Sequence, residues 1–238
     1  MKNLVLASTS TIYGGAYLEY LQPVIEELFA ATDEIIFIPY ARPGGISHDE
    51  YTAKAAAFFS RIGKRLIGLH TFPDAVKALQ QAKGFFTGGG NTFLLVQQLH
   101  EQGLMHELAK QAHAGTPYLG ASAGTNIAGL TMGTTNDMPI VYPPSFQTMG
   151  LVPFNINPHY LDPIPNLPHM GETREMRIKE FHVHNKIPVI GLREGSWLRV
   201  KGEVIRLEGG LSGRVFLKGK EAYELEGGVV ELGWVNIG

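Results

Sequence analysis

Apolar residues open the chain as a short unbroken run, Leu4-Val5-Leu6-Ala7. Similar runs return at Ile35-Ile36-Phe37-Ile38, Leu66-Ile67-Gly68-Leu69, Gly84-Phe85-Phe86-Thr87 and Pro117-Tyr118-Leu119-Gly120. Apolar stretches with no polar alternation are what strands covered on both faces require. Between them the spacing changes to three and four. Leu18, Leu21, Ile25, Leu28 and Phe29 form one such set, and Tyr51, Ala55, Phe58, Phe59 and Ile62 another, each lining one side of a helix. Pro23 interrupts the first set, so that helix is either kinked there or begins near it. Further helices are predicted around Thr92 to His100 and Leu104 to Ala112. Strand and helix in alternation over residues 1–130 predict an α/β fold: a mostly parallel sheet with helices on both faces.

The pattern then breaks. Eight of the fourteen prolines fall between Pro139 and Pro168, which excludes long regular elements there. Tyr142, Phe146, Phe154, Ile156 and Tyr160 in the same stretch predict an ordered loop region rather than a linker. A helix from Thr173 to His184 and a strand, Val189-Ile190-Gly191-Leu192, resume the alternation. Beyond Trp197, short strands separated by Lys201-Gly202, Gly209-Gly210 and Lys218-Gly219-Lys220 predict a small antiparallel meander as the C-terminal portion. The whole chain, 1–238, reads as a single α/β domain, large enough to bury about 70% of its unfolded surface.

Composition narrows the function. Twenty basic and twenty-two acidic side chains give a net charge of −2, which argues against nucleic acid or an anionic membrane as partner. Cysteine is absent, excluding disulfide scaffolds, thiolate metal sites and cysteine nucleophiles. The apolar stretch at the N-terminus stops at Ser8-Thr9-Ser10, shorter than the ~7–15 residues of a signal core. No run approaches the ~20 residues of a membrane span. A cytoplasmic protein is expected. Glycine is over-used, 29 of 238 residues, and it clusters, as turns and close backbone approaches demand.

Two of those clusters carry chemistry. Gly120-Ala121-Ser122-Ala123-Gly124 is a G-x-S-x-G sequence directly after a predicted strand and before a possible helix, the context of a nucleophile elbow. It also fits a tight turn with no chemistry. Gly88-Gly89-Gly90-Asn91 occupies the equivalent place after another strand. Its bare N–H groups suit a phosphate cradle, half of an oxyanion hole, or simply a strand-to-helix turn capped by Asn91 or Thr92. It is neither a P-loop nor a dinucleotide-binding fingerprint. A serine nucleophile needs a base and an orienting carboxylate. His182 and His184 fall at the end of a predicted helix with Lys179 and Lys186 nearby, and read as its solvated end. His159, fixed beside Pro158, is the better candidate for the base, and Glu194, at the end of a strand beside Gly195, for the acid. The histidines show no metal-ligand spacing, so neither metal nor organic cofactor is expected.

Gly88-Gly89-Gly90-Asn91-Thr92-Phe93, Gly120-x-Ser122-Ala123-Gly124, Thr134 to Val141 (TTNDMPIV), Ile156-Asn157-Pro158-His159, Gly171-Glu172-Thr173-Arg174-Glu175 and Ile190-Gly191-Leu192-x-Glu194-Gly195 occur together and in order. In this the chain resembles, over about residues 3–225, the peptidase E (aspartyl dipeptidase, dipeptidase E) family of serine peptidases. That resemblance implies a fold like the class I glutamine amidotransferases (flavodoxin-like). It implies Ser122 as nucleophile, His159 as general base and acid, and Glu194 as the orienting carboxylate, with the N–H groups of Gly90 and Ala123 as the oxyanion hole. It also implies that Asp137 lines the site and Arg174 reads a substrate aspartate. The substrate expected is a small peptide, Asp-Xaa, and the enzyme a monomer or homodimer. The chain departs from the family pattern in Ala121, where a bulkier aromatic is usual, and in Arg193, where proline is usual. Both bear on pocket shape and charge. The alternatives are a cyanophycinase-like serine peptidase and a catalytically idle binding module on the same fold.

Overall fold

The apolar runs become strands of two sheets in the computed structural model, which describes residues 1–163 and 171–234. The strands are β1 (Asn3–Ala7), β2 (Glu34–Ile38), β3 (Arg65–Gly68), β4 (Phe85–Thr87), β5 (Tyr118–Ala121), β6 (Asn155–Pro158), β7 (Val189–Leu192), β8 (Ser196–Lys201), β9 (Val204–Gly209), β10 (Gly213–Phe216), β11 (Tyr223–Leu225) and β12 (Gly228–Val229). The larger sheet has the order β12-β9-β8-β1-β5-β4-β2-β3 and the smaller β11-β10-β7-β6. Pairings β3-β2-β4-β5-β1 are all parallel. Within them, β3-β2-β4-β5 follows the start of the flavodoxin-like order 2-1-3-4-5, with the fifth place taken by β1.

Alternate side chains of these strands enter two cores. Val5, Ala7, Ile35, Phe37, Phe86 and Leu119 pack beneath helices α1 (Gln22–Leu28) and α2 (His48–Arg61). Leu4, Leu6, Ile36, Phe85 and Tyr118 face the other way, onto α3 (Ala75–Gln81), α4 (Thr92–Glu101) and α5 (Leu104–Ala114). That second core also takes in Ile156 of β6 and Ile190 and Leu192 of β7, so the small sheet is fused to the large one through shared apolar side chains. Among the described residues no helix is long and apolar enough to cross a membrane.

Pro23 falls in the first turn of α1, where its missing N–H costs nothing, so the helix begins there instead of kinking. The run ending in Leu69 stops as a strand at Gly68 and passes into a 3-10 turn over Leu69–Thr71. The C-terminal strands do not form a meander of their own. β8 adds antiparallel to the free edge of β1, carrying β9 and β12 with it, whereas β10 and β11 extend the small sheet from β7. Each hairpin covers an edge that would otherwise expose unpaired backbone groups. The proline-rich stretch is loop over most of its described part and carries one short strand, β6. Residues 164–168 of it lie outside the described residues.

Candidate active site

Parallel pairing decides which loops meet. Thr87 of β4 is in register with Gly120 of β5, and Ala7 of β1 with Ala121, so the chain leaves all three strands at one carboxyl edge. The triple glycine, Ser122 and Ser8 therefore emerge side by side. In the small sheet, β6 and β7 are also parallel, with Pro158 opposite Leu192, and His159 and Glu194 leave that edge together. The two sheets present these edges to each other.

Ser122 turns the chain sharply between β5 and the single helical turn α6 (Ala123–Asn126), at φ 55° and ψ −110°. His159 is also held at positive φ, 53°. Such conformations cost roughly 1–3 kcal/mol each and persist only where surroundings enforce them. Here the Ser122 N–H donates to Ala7 O at 3.1 Å, and the buried Thr125 hydroxyl lies 2.6 Å from Ala7 O and 2.9 Å from Gly120 O. Gly124 must be glycine because a Cβ there would run into the Thr87 carbonyl.

His159 Nε2 lies 2.8 Å from Ser122 Oγ, and its Nδ1 lies 2.6 Å from Glu194 Oε1. A carboxylate can only accept, so Nδ1 carries a proton and the neutral imidazole keeps Nε2 free to accept from the serine hydroxyl. The pair is not deeply buried: the His159 and Glu194 side chains are 35% and 44% exposed. What fixes it is backbone. The buried Ser8 hydroxyl donates to Leu192 O at 2.7 Å and accepts from the His159 N–H at 2.9 Å. The Tyr160 N–H also donates to Leu192 O, at 3.1 Å. Ser8 thus ties the end of β1 to the ends of β6 and β7.

The triple glycine sits against the serine. A methyl group on Gly89 would lie 3.0 Å from Ser122 Cβ, and one on Gly90, at φ 146°, would collide with the Ala41 carbonyl. The loop is pinned by Tyr51, whose hydroxyl donates to Gly89 O at 3.1 Å, and by the Asn91 N–H, which donates to Ala41 O at 2.7 Å. Among the described residues neither the Gly90 nor the Ala123 N–H donates a hydrogen bond.

The segment Thr134–Asp137 fills the gap between this loop and β6. Asn136 donates to Pro158 O at 2.7 Å and Asn157 donates to Asn136 Oδ1 at 2.8 Å. Asp137 Oδ2 accepts from the Thr92 N–H at 2.7 Å and from the Thr135 hydroxyl at 3.0 Å. One oxygen of Asp137 therefore caps α4. Arg174 opens helix α7 (Arg174–His184) behind the Thr173 cap. Burial and the neighbouring Arg177 hold the Arg174 guanidinium below its usual pKa, against the opposing pull of Asp137. Among the described residues it has no hydrogen bond or ion pair.

The structure thus brings Ser122, His159 and Glu194 within hydrogen-bond reach of one another and sets the triple glycine against Ser122. It places Asp137 against the start of α4 and links Arg174 to Asp137 only through their charges; one expectation nearby is corrected. His182 is not solvated: it is buried, with Nε2 2.9 Å from Ile187 O, because the chain folds back after α7 to begin β7. Sequence reasoning passed over Ser8 and Tyr51. Ser8 follows an apolar strand, and only that position, at the carboxyl edge of a parallel sheet, could have marked it.

Comparisons with known proteins agree on the relationship. A family model described as Peptidase family S51 matches residues 4–208. The chain is 48% identical over 223 residues to a Streptomyces coelicolor protein named Peptidase E, covering 94% of this chain and 90% of that one. It is 44% identical over 234 residues to a Drosophila melanogaster protein named "Probable alpha-aspartyl dipeptidase", with 97% and 93% covered. The crystal structure of a peptidase from an acI-B1 actinobacterium superposes with a TM-score of 0.69 at 17% identity over 94% of each chain.

Proposed function

Because the chain belongs to peptidase family S51 and is a serine-type dipeptidase, we propose that it hydrolyses dipeptides whose first residue is aspartate, through an acyl-enzyme. Ser122 is the nucleophile, His159 its base and Glu194 the carboxylate that orients the imidazole. His159 Nε2 takes the hydroxyl proton as Oγ attacks the scissile carbonyl, and Glu194 stabilises the imidazolium that forms. The oxyanion is received by the N–H groups of Gly90 and Ala123, each such donor being worth about 10²–10³ in rate. His159 then gives its proton to the leaving amine. In the second half it activates the water that releases free aspartate.

Arg174 carries the choice of aspartate. The substrate brings a carboxylate and an ammonium on one residue, so its pocket needs opposite charges a few ångströms apart. Arg174 supplies a permanent, planar cation that takes a carboxylate bidentately. It stands in the first turn of α7, where a cation gains nothing from the helix dipole. Asp137, with one oxygen uncommitted, supplies the acceptor for the ammonium. The relative named for alpha-aspartyl dipeptides supports the same substrate class.

Steady-state kinetics on Asp-Leu and Asn-Leu test this. Arg174→Lys and Arg174→Ala are expected to lower kcat/KM for Asp-Leu by about 10²-fold, and far less for Asn-Leu, because alanine leaves the bound carboxylate unpaired and lysine cannot reproduce the two-pronged contact. Equal losses on both peptides would assign Arg174 to the fold instead.

A further inference from the structure

Arg193 directly precedes Glu194, yet its guanidinium is committed elsewhere. Nε and Nη2 fork onto Asp162 Oδ2 and Oδ1, both at 2.7 Å. Nη1 and Nη2 reach Glu224 at 2.8 and 3.1 Å, and Nη1 also donates to Ser212 O at 2.8 Å. The side chain is only 14% exposed and lies 5.6 Å over the Tyr160 ring. All three nitrogens are used, so none is left to compete with His159 for Glu194. The cluster continues through Arg214 to Glu175 and Lys179. With three cations (Arg193, Arg214, Lys179) and three carboxylates (Asp162, Glu224, Glu175) it is neutral.

Its geometry is that of a clamp. Asp162 is three residues beyond His159, Glu194 is the next residue after Arg193, and Glu224 lies on β11, outside both. The loop carrying the base and the turn carrying the acid are therefore fastened to each other and to the small sheet. Ser196 closes the turn from the far side by donating its N–H to Arg193 O at 3.1 Å, with Gly195 at φ 91°. The His159–Glu194 pair needs such support because both side chains are too exposed to be held by packing.

We propose that Arg193 is a positioning residue, which sets the His159–Glu194 alignment through the Asp162 and Glu224 clamp. This rests on the triad proposed above. Misplacing a catalytic group by about 1 Å can cost 10²-fold, and a lysine cannot replace a two-pronged contact.

The test is a double-mutant cycle read on kcat and KM for Asp-Leu, and in parallel on the rate at which a fluorophosphonate probe labels Ser122. Arg193→Gln is expected to lower kcat and labelling about 10- to 100-fold with KM within about twofold, and Arg193→Lys to recover part of the loss. In a Glu194→Gln background, where there is no charge left to align, the further loss should shrink to less than about threefold. If Arg193→Gln does not fold, Glu224→Gln, which leaves the Asp162 fork in place, should show a smaller loss with the same dependence on Glu194. Losses that multiply in the double variant, or an unchanged kcat in Arg193→Gln, would overturn the role. A fully active Glu194→Gln would sink the triad and this role with it. A wild type that labels at Ser122 but ignores Asp-Leu would fault only the substrate, and the labelling cycle would still decide on Arg193.

Discussion

Ser122 and His159 are two of the three non-glycine residues at positive φ among the described residues. Each conformation puts a reactive atom where a relaxed backbone would not. The reactive pair is consequently local in its chemistry, and single atoms can be removed without disturbing the fold. Ser122→Ala should cut kcat by about 10³-fold or more, with an unchanged unfolding midpoint. Glu194→Gln should lower kcat strongly at nearly constant KM, and Glu194→Asp should be milder, because only the charge behind the imidazole is altered. Retention of more than about a tenth of the activity by Ser122→Ala would rule out an obligatory acyl-enzyme at that side chain.

At the scale of elements, the site is a meeting of strand ends. The parallel pairs β5-β1 and β6-β7 deliver Ser122, Ser8, His159 and Glu194, and one buried hydroxyl joins the two sheets. Ser8→Ala would strip the His159 N–H of its acceptor while Leu192 O keeps the Tyr160 N–H. An unsatisfied partly buried donor costs about 1–3 kcal/mol. Denaturant unfolding should show a loss of that size, together with a fall in kcat as the His159 backbone relaxes from positive φ. A variant as stable and as active as the wild type would show that the two sheets hold their registration without Ser8.

Across the whole molecule, the charged cluster behind the site ties acid stability to the small sheet. Hydrogen bonds from Arg193, then from Ser212 and Arg214, pull the Glu224 carboxyl from 4.5 down to about 2, and Arg193 likewise depresses Asp162. Groups whose folded pKa is depressed stabilise the fold above their unfolded pKa and lose that contribution as pH falls through the folded value. The clamp should therefore contribute fully above about pH 5 and fade between about 4.5 and 2. Thermal unfolding followed from pH 6 to 2 should fall more steeply for wild type than for Arg193→Gln, with the difference partly screened by salt because Asp162 and Glu224 face solvent. Parallel slopes for the two proteins would show that Arg193 does not hold the Asp162 and Glu224 carboxyls down in the folded protein.

The sequence by itself determined the α/β alternation, because short apolar runs rich in β-branched residues such as Ile35–Ile38, closed by Pro39 and alternating with helix-spaced stretches, fit strands covered on both faces. It also marked Ser122 and the triple glycine, since a sharp turn and a close backbone approach leave a local signature of small residues. What it left open depends on contacts between segments distant in the chain. Which edge each C-terminal hairpin joins is set by the free sides of β1 and β7, and no residue in the hairpins announces it. Neither α3 nor β6 is legible in the apolar pattern, β6 because its buried Asn155 and Asn157 look polar in the sequence and meet their partners Thr131 and Asn136 only across the fold. Ser8 and the Arg193 clamp gave no periodic or local signal, their partners lying 19 to 184 residues away. The type of a residue is a local property, but the partner of a hydroxyl or a guanidinium exists only once the two sheets have closed on each other.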